Sequence, residues 1–273
     1  MILILSEAGD VTTYHVTRWL EYYGQEVLLV TDNDNITGVN ISNRQTVVTV
    51  SGKIMDFNEI SAYWYRRGNL NISGYAAADH LPPLVCNNIS NELQTVTSLL
   101  HSRLHHIPHL GEHTHRRLNR LVVMDAAARL GLEVPAYGVF NRREQVLDFI
   151  SIHGRIVTKP LSDGLMAEED RISYANYTAL FEPEDAANLP ETFFPGLFAA
   201  YVPKKYELRI FYLDGNCYTM AVMSQQDSQT QTDMRRYNYK KPNRNVPYQL
   251  PDSITAKICA LMDVLQLKTD RKS

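Results

Sequence analysis

A lysine that leaves an apolar strand just ahead of a turn is placed to meet an anion. Ile156-Val157-Thr158-Lys159 reads as such a strand, and Pro160-Leu161-Ser162-Asp163-Gly164 as the turn. An ammonium is a compact point charge that suits phosphate oxygens, and the N–H groups of the following loop can add to the cradle. Lysines also end strands with only water above them, so this segment alone leaves both readings open. Further along, Glu207-Leu208-Arg209-Ile210-Phe211-Tyr212-Leu213 alternates charged and apolar residues. That is the period of a half-buried strand, with Glu207 and Arg209 on one face and Ile210 and Tyr212 on the other. An acid and a base there form an anion-binding pair or a plain surface ion pair. Asp233, Arg235, Arg236 and Asn238 follow in one short run, again groups that hold anions and carboxylates.

The elements that must position these residues are legible from punctuation and period. Met1-Ile2-Leu3-Ile4-Leu5-Ser6 is too short and uncharged for a signal peptide and reads as a first strand. Val16, Trp19, Leu20 and Tyr23 have helical spacing, stopped by Gly24, and Trp19 and Tyr23 are expected in the core. Glu26 to Val30 is the next strand. This β-α-β start predicts a small doubly wound domain, without the GxGxxG dinucleotide fingerprint. Ser51-Gly52-Lys53 marks a hairpin, and Ala62 to Tyr65 a further strand. Helices are expected at Leu93 to His106, Leu118 to Leu130, Arg142 to His153 and Ile254 to Leu265. Asp214-Gly215-Asn216 predicts a tight hairpin turn, and the polar run Gln225 to Thr232 a mobile loop. Arg66 and Arg67 read as interdomain or substrate-side contacts. The domain boundary is placed near His113 to Arg117.

Composition narrows the class. The 273 residues allow one large or two modest domains, and a net charge of −3 gives no electrostatic case for nucleic-acid binding. No run is long and apolar enough to span a membrane. Cys86, Cys217 and Cys259 lack metal or disulfide spacing and read as buried free thiols of a reducing, cytoplasmic compartment. Six of the nine histidines (His101, His105, His106, His109, His113 and His115) crowd one stretch. His101 and His105 share a helix face, but HExxH is missing and no acidic partner has metalloenzyme spacing. Solvated histidines and no metal are expected.

Taken in order, several segments resemble the ATP-grasp superfamily. These are Tyr63-Trp64-Tyr65-Arg66-Arg67, Asn119-Arg120-Leu121, Gly131-Leu132-Glu133-Val134-Pro135 and Thr158-Lys159-Pro160. Tyr206-Glu207-Leu208-Arg209-Ile210-Phe211-Tyr212, Ser224-Gln225-Gln226, Asp233-Met234-Arg235-Arg236-Tyr237-Asn238 and Lys241-Pro242-Asn243-Arg244 follow. The branch they are most similar to is that of the grasp-with-spasm and microviridin-type macrocyclases, relatives of the ribosomal-protein glutamate ligase. The resemblance implies an α/β protein with α+β organisation in its C-terminal part. A pre-ATP-grasp domain would span 1–113, and the central and C-terminal ATP-grasp domains 114–273.

The resemblance also implies an ATP-dependent ligase that cross-links side chains of a ribosomally made precursor peptide, through an acyl phosphate. Lys159 and Arg120 would contact nucleotide phosphates; the family carries a lysine where this chain has Arg120. Backbone groups of Ala200, Tyr201 and Val202 would meet the adenine, and Glu207 the ribose. Arg209, Arg235 and Asn238 would face the phosphates or the acyl phosphate, and Asp233 and Arg236 the peptide. The family's Mg²⁺ ligands lie on strands beyond a helix like Ile254 to Leu265, where this sequence ends in the polar Asp270-Arg271-Lys272-Ser273. The expectation is a truncated last domain without Mg²⁺ ligands and with the helix face of Ile258, Leu261, Met262 and Leu265 partly uncovered. A binding protein without turnover, and a ligase acting on a small amino acid, remain alternatives. A precursor peptide is the implied partner; nucleic acid and membrane are not, and a homodimer is compatible with the sequence.

Overall fold

The structure is a computed structural model that describes residues 1–73, 81–113, 118–162, 166–169, 172–175 and 177–272, with 166–169, 172–175 and 270–272 given by their backbone. The chain divides into two compact units, Met1–Arg116 and Arg117–Ser273. The Asp163-Gly164 turn, His115 and most of the expected boundary lie outside the described residues. No described helix is long and apolar enough to cross a membrane.

The first unit opens with β1 (Ile2–Ser6), α1 (Val11–Tyr22) and β2 (Val27–Thr31), the expected β-α-β. A small sheet follows, of β3 (Asn35–Ile41), β4 (Thr46–Val50) and β5 (Lys53–Asp56). β6 (Ala62–Tyr65), β7 (Asn71–Ile72), α2 (Pro83–His105) and β8 (His109–Leu110) complete the unit. The main sheet has the order β2-β1-β6-β8, and every pair in it is parallel. A parallel strand buried on both faces needs a continuous apolar run, and Leu3, Ile4 and Leu5 are fully buried. The second sheet runs β5-β4-β3-β7. β4 and β5 are joined through Ser51 and Gly52 at φ 46° and 82°, the left-handed pair of a type I′ turn. β3 carries no clean alternation and is not read from the sequence.

Two expectations fail in this unit, for the α1 aromatics and for the histidines. Trp19 and Tyr23 are exposed, at 60% and 68%, and stack on each other, so the spacing on α1 marks an exposed aromatic stripe. Arg66 and Arg67 pair locally with Asp10 and Glu7, at 3.2 Å each. The histidines are not simply solvated. His101 stacks on His113 at 3.9 Å, and burial, with His113 beside it, pushes its pKa down to about 4. His105 instead faces His109 and Glu112.

The second unit begins with α3 (Arg120–Arg129), β9 (Tyr137–Arg142), α4 (Arg143–His153) and β10 (Ile156–Lys159). β11 (Met166–Glu169), β12 (Ile172–Ala175), β13 (Ala179–Phe181), α5 (Pro183–Ala187) and β14 (Thr192–Ala200) follow. β15 (Glu207–Leu213), β16 (Asn216–Val222), α6 (Ser228–Gln231), β17 (Asn245–Pro247), α7 (Asp252–Val264) and β18 (Thr269–Lys272) end it. Two antiparallel four-stranded sheets result, β13-β10-β14-β9 and β17-β16-β15-β18, beside the β11-β12 hairpin. Asp214 and Gly215, at φ 41° and 86°, close the β15-β16 hairpin as their sequence predicts.

The polar tail is a strand after all. β18 pairs with β15, Ile210 opposite Lys272 through Leu213 opposite Thr269. Ladder bonds need only backbone, so a polar composition did not prevent it. The α7 face is covered rather than bare: Ile258, Leu261 and Met262 are buried against Ala127, Ile210, Tyr212, Leu250 and Leu267, with Leu265 packed at the margin. Gln225 to Thr232 is not a loose loop. Its Thr230 hydroxyl, fully buried, donates to the Ser224 carbonyl at 2.9 Å and closes a compact turn. Cys86, Cys217 and Cys259 form no disulfide among the described residues and are only half-buried.

Candidate functional site

The cations of the second unit arrive from separate elements. Asn119 caps α3, accepting the Leu121 N–H at 2.9 Å, so Arg120 stands at the first helical position. Its guanidinium donates to the Pro160 carbonyl, one residue past Lys159. Lys159 ends β10 opposite Leu197 of β14, and its Nζ makes no hydrogen bond or ion pair among the described residues. Lys204, in the link from β14 to β15, donates to Glu207 at 2.7 Å and to the Thr232 carbonyl at 3.4 Å. Arg209 lies two residues along β15 from Glu207, hence on the same face. Its Nη2 sits 3.9 Å from that carboxylate, and its Nε donates to Met234 Sδ at 3.2 Å.

These charges act on one another. Burial is the largest influence on Lys159 and lowers its pKa, Arg120 and Lys204 lower it further, and Asp233 and Glu207 pull it back only in part. An ammonium held below its ordinary range by burial and by two neighbouring cations gains from any anion placed among them.

Asp233 is the anchor of the other half. It is 6% exposed, and it takes a bidentate bond from Arg235, Nε to Oδ1 at 2.9 Å and Nη2 to Oδ2 at 2.5 Å. It also accepts the N–H groups of Arg235 at 3.0 Å and Thr178 at 2.9 Å. Burial alone would raise its pKa, but these donors outweigh it and hold the carboxyl well below the usual carboxylate range. The Thr178 bond ties the segment after β12 to the segment after α6. Arg235 and Arg236 lie over the Tyr177 ring, at 5.9 and 5.5 Å. With Gln229, Tyr237 and Tyr239 these residues line an open cavity of about 410 Å³.

The remaining expected residues are placed as follows. Ala200 ends β14 and Tyr201 follows it. Their N–H groups donate to the carbonyls of Ala136 at 2.8 Å and Arg155 at 2.9 Å, while the Val202 side chain is exposed. Ala200 pairs with Ile156 and Leu197 with Lys159, so the linker and the lysine stand at opposite ends of one strand pair. Three residues of strand separate them by about 10 Å. Asn238 is engaged locally. Its amide donates to Asp227 at 2.8 Å, and its oxygen accepts the N–H groups of Lys240 and Lys241 at 3.0 and 3.2 Å.

Lys204, Tyr177 and Thr178 were not read from the sequence. The signal for Lys204 was its place three residues before Glu207. Nothing local marks Tyr177 and Thr178, which reach the site only through tertiary structure.

The carboxylates of the site do not fit a Mg²⁺ cluster. Glu207 is held by Lys204 and Arg209, and Asp233 by Arg235. A hard dication needs carboxylate oxygens turned toward it.

No protein-family model matches the chain, and no curated protein does. Solved structures do. A RiPP-associated ATP-grasp ligase of Chryseobacterium gregarium, in complex with ADP and a leader and core peptide, superposes with a TM-score of 0.80 at 24% identity, over 99% of this chain and 83% of that one. The macrocyclase MdnC of Microcystis aeruginosa MRC, bound with precursor peptide MdnA, gives 0.76 at 23% identity, over 99% and 86%. The ATP-grasp ligase PsnB, complexed with a minimal precursor, gives 0.70 at 14% identity, over 99% and 84%. At such identities the likeness is one of fold: the chain has the ATP-grasp fold, in the form taken by RiPP-associated ligases and macrocyclases.

Proposed function

We propose that this protein is an ATP-dependent ligase that matures a ribosomally made precursor peptide by cross-linking its side chains. The observation that carries the reading is Lys159, a half-buried ammonium at a strand end whose charge is disfavoured by burial and by Arg120 and Lys204. Phosphate oxygens would relieve that crowding. The separation of about 10 Å between the Ala200–Val202 linker and Lys159 suits a nucleotide laid along the β10-β14 pair, with its base at one end and its phosphates at the other. The fold is that of ligases solved with ADP and with leader, core or precursor peptides.

ATP supplies the phosphoryl group that turns an Asp or Glu side chain of the peptide into an acyl phosphate. Lys159 and Arg120 hold phosphate oxygens, and Arg209 stands on the neighbouring sheet to neutralise charge on the transferring group. Glu207, oriented by Lys204, meets the ribose. Asp233 sets the fork of Arg235, while Arg236 and Tyr177 offer a cationic and aromatic surface to an acidic peptide. A hydroxyl or amine of the same peptide then attacks the acyl carbon and phosphate leaves. Each link so formed costs the peptide one water.

A second reading, a protein that binds peptide and nucleotide without turnover, is favoured by one feature. Both site carboxylates are occupied by cations. The test is to incubate the protein with ATP, Mg²⁺ and Thr-, Asp- and Glu-rich precursor peptides and to follow water loss by mass spectrometry. Water loss supports the ligase. Nucleotide binding by titration without water loss supports the second reading, and absence of both removes the two together.

A further inference from the structure

We propose that the first unit carries a zinc-class transition-metal site formed by His105, His109 and Glu112, separate from the chemistry of the second unit. One stretch of eight residues, passing from helix to strand and beyond, brings them together. His105 is the last residue of α2, His109 the first of β8, and Glu112 follows two residues after that strand. One ligand atom of each residue lies within 4.8 Å of those of the other two. Oε1 is 3.7 Å from His105 Nδ1 and 3.4 Å from His109 Nε2.

Those separations suit a metal better than a proton. Hydrogen bonds from an imidazole to a carboxylate centre near 2.7–2.9 Å, as charge-assisted bonds do. A tetrahedral ion with metal–ligand bonds of about 2.0–2.1 Å sets its ligand atoms about 3.3–3.4 Å apart along each edge. The two imidazole nitrogens stand 3.4 and 3.7 Å from one carboxylate oxygen, at and slightly above that edge length. Two histidines and a glutamate are also a donor set that zinc takes in proteins.

The supporting bonds point the same way. His109 Nδ1 lies 2.9 Å from the Ile107 carbonyl, which can only accept, so Nδ1 carries a proton and the neutral form of the ring offers Nε2, 3.4 Å from Glu112, as the ligand atom. A backbone carbonyl bonded to the second ring nitrogen is the usual orienting partner of a metal-ligating histidine. Gly111, at φ +76°, makes the return that brings Glu112 beside His109, and a Cβ at that position would collide with the Tyr65 carbonyl.

The site opens on a cavity of about 390 Å³ that Tyr63, His101 and His113 also line. Tyr63 is 4% exposed and, among the described residues, its hydroxyl has no hydrogen-bond partner and neither does either ring nitrogen of His101. Buried polar groups without partners call for a polar occupant, and a fourth ligand of the metal, water or a small anion, meets that need. Zinc fits the nitrogen-rich, compact donor set; nickel and cobalt would compete, whereas magnesium would not.

The experiment is calorimetric titration of the tag-free, chelator-treated full chain with zinc chloride, with thermal unfolding alongside. One equivalent should bind and raise Tm. His109→Ala and His105→Ala should each weaken binding by at least about tenfold, Glu112→Gln should do likewise, and His106→Ala, at an exposed neighbour, should not. Three results would each overturn the proposal: no binding by the wild type, full binding by a His105→Ala/His109→Ala double variant, or unchanged affinity in Glu112→Gln.

Discussion

The cationic site of the second unit and the histidine cluster of the first both gather ionisable side chains, yet they lack opposite things. Around Lys159 positive charge is in excess. Arg120 and Lys204 push against the ammonium, and the nearby carboxylates answer other cations. Around Glu112 one carboxylate oxygen and two imidazole nitrogens converge. The sign of the imbalance, more than the residue types, tells what each place would bind: an anion in one, a cation in the other. The pairing of charges inside a site therefore carries as much information as its inventory.

The largest expected effect breaks the first half of this comparison. Lys159→Met should weaken binding of a non-hydrolysable ATP analogue at least tenfold relative to Lys268→Met, at an exposed position, and should lower cross-linking by about 10²–10³. Titration calorimetry and single-turnover mass spectrometry measure the two. Equal affinities in both variants would remove Lys159 from the site.

The independence of the two places can be tested crosswise. Perturbations of groups that share no partners add. Zinc should therefore raise Tm equally in wild type and Lys159→Met, and His109→Ala should bind the ATP analogue as wild type does. A loss in both assays from either variant would mean that the two places are one coupled site.

How much of this could be read from the chain follows from where its signals lie. Lys159, Glu207 and Arg209 are legible because a strand end and a period of two are local patterns. The turns at Ser51-Gly52 and Asp214-Gly215 are legible because only a few residues accept positive φ. The pairing of Thr178 with Asp233 bridges segments far apart in sequence, and no local rule carries it. Trp19 and Tyr23 misled because helical spacing marks a stripe without saying which way it faces. β18 was missed because its partner, β15, supplies what its own composition does not. In the histidine stretch no familiar metalloenzyme spacing marks the acid, because a glycine return delivers Glu112 three residues after His109.

A smaller effect concerns Asp233. Its folded pKa is depressed, so its stabilisation is full above the ordinary value of 3.8 and is lost as pH falls below it toward the lower folded value. Asp233→Asn should cost about 2 kcal/mol at neutral pH, since a buried acceptor of charged bonds is weakened while Arg235 stays half-exposed. Denaturant melts between pH 7 and about 3 should show the gap between wild type and variant closing in acid. A gap that stays constant with pH would mean that the carboxylate charge is not what Arg235 and Thr178 hold.

The smallest effect uses the same kind of pair in the other unit. Arg67 and Glu7 meet at 3.2 Å, as an arginine and an acid, but their side chains are 49% and 42% exposed. Water screens both partners and each gives up side-chain entropy to meet, so Glu7→Gln should change stability by less than about 1 kcal/mol, and by less still in high salt. The variant also separates two roles for Arg67. An arginine serving only its neighbour would leave cross-linking and peptide affinity where they were. An arginine on the substrate side, released from Glu7, would bind an acidic precursor more tightly, and that gain would fade as salt rises. Fluorescence anisotropy with a labelled precursor at two ionic strengths measures it. A stability loss as large as that of Asp233→Asn would instead show that exposure does not set the worth of these pairs.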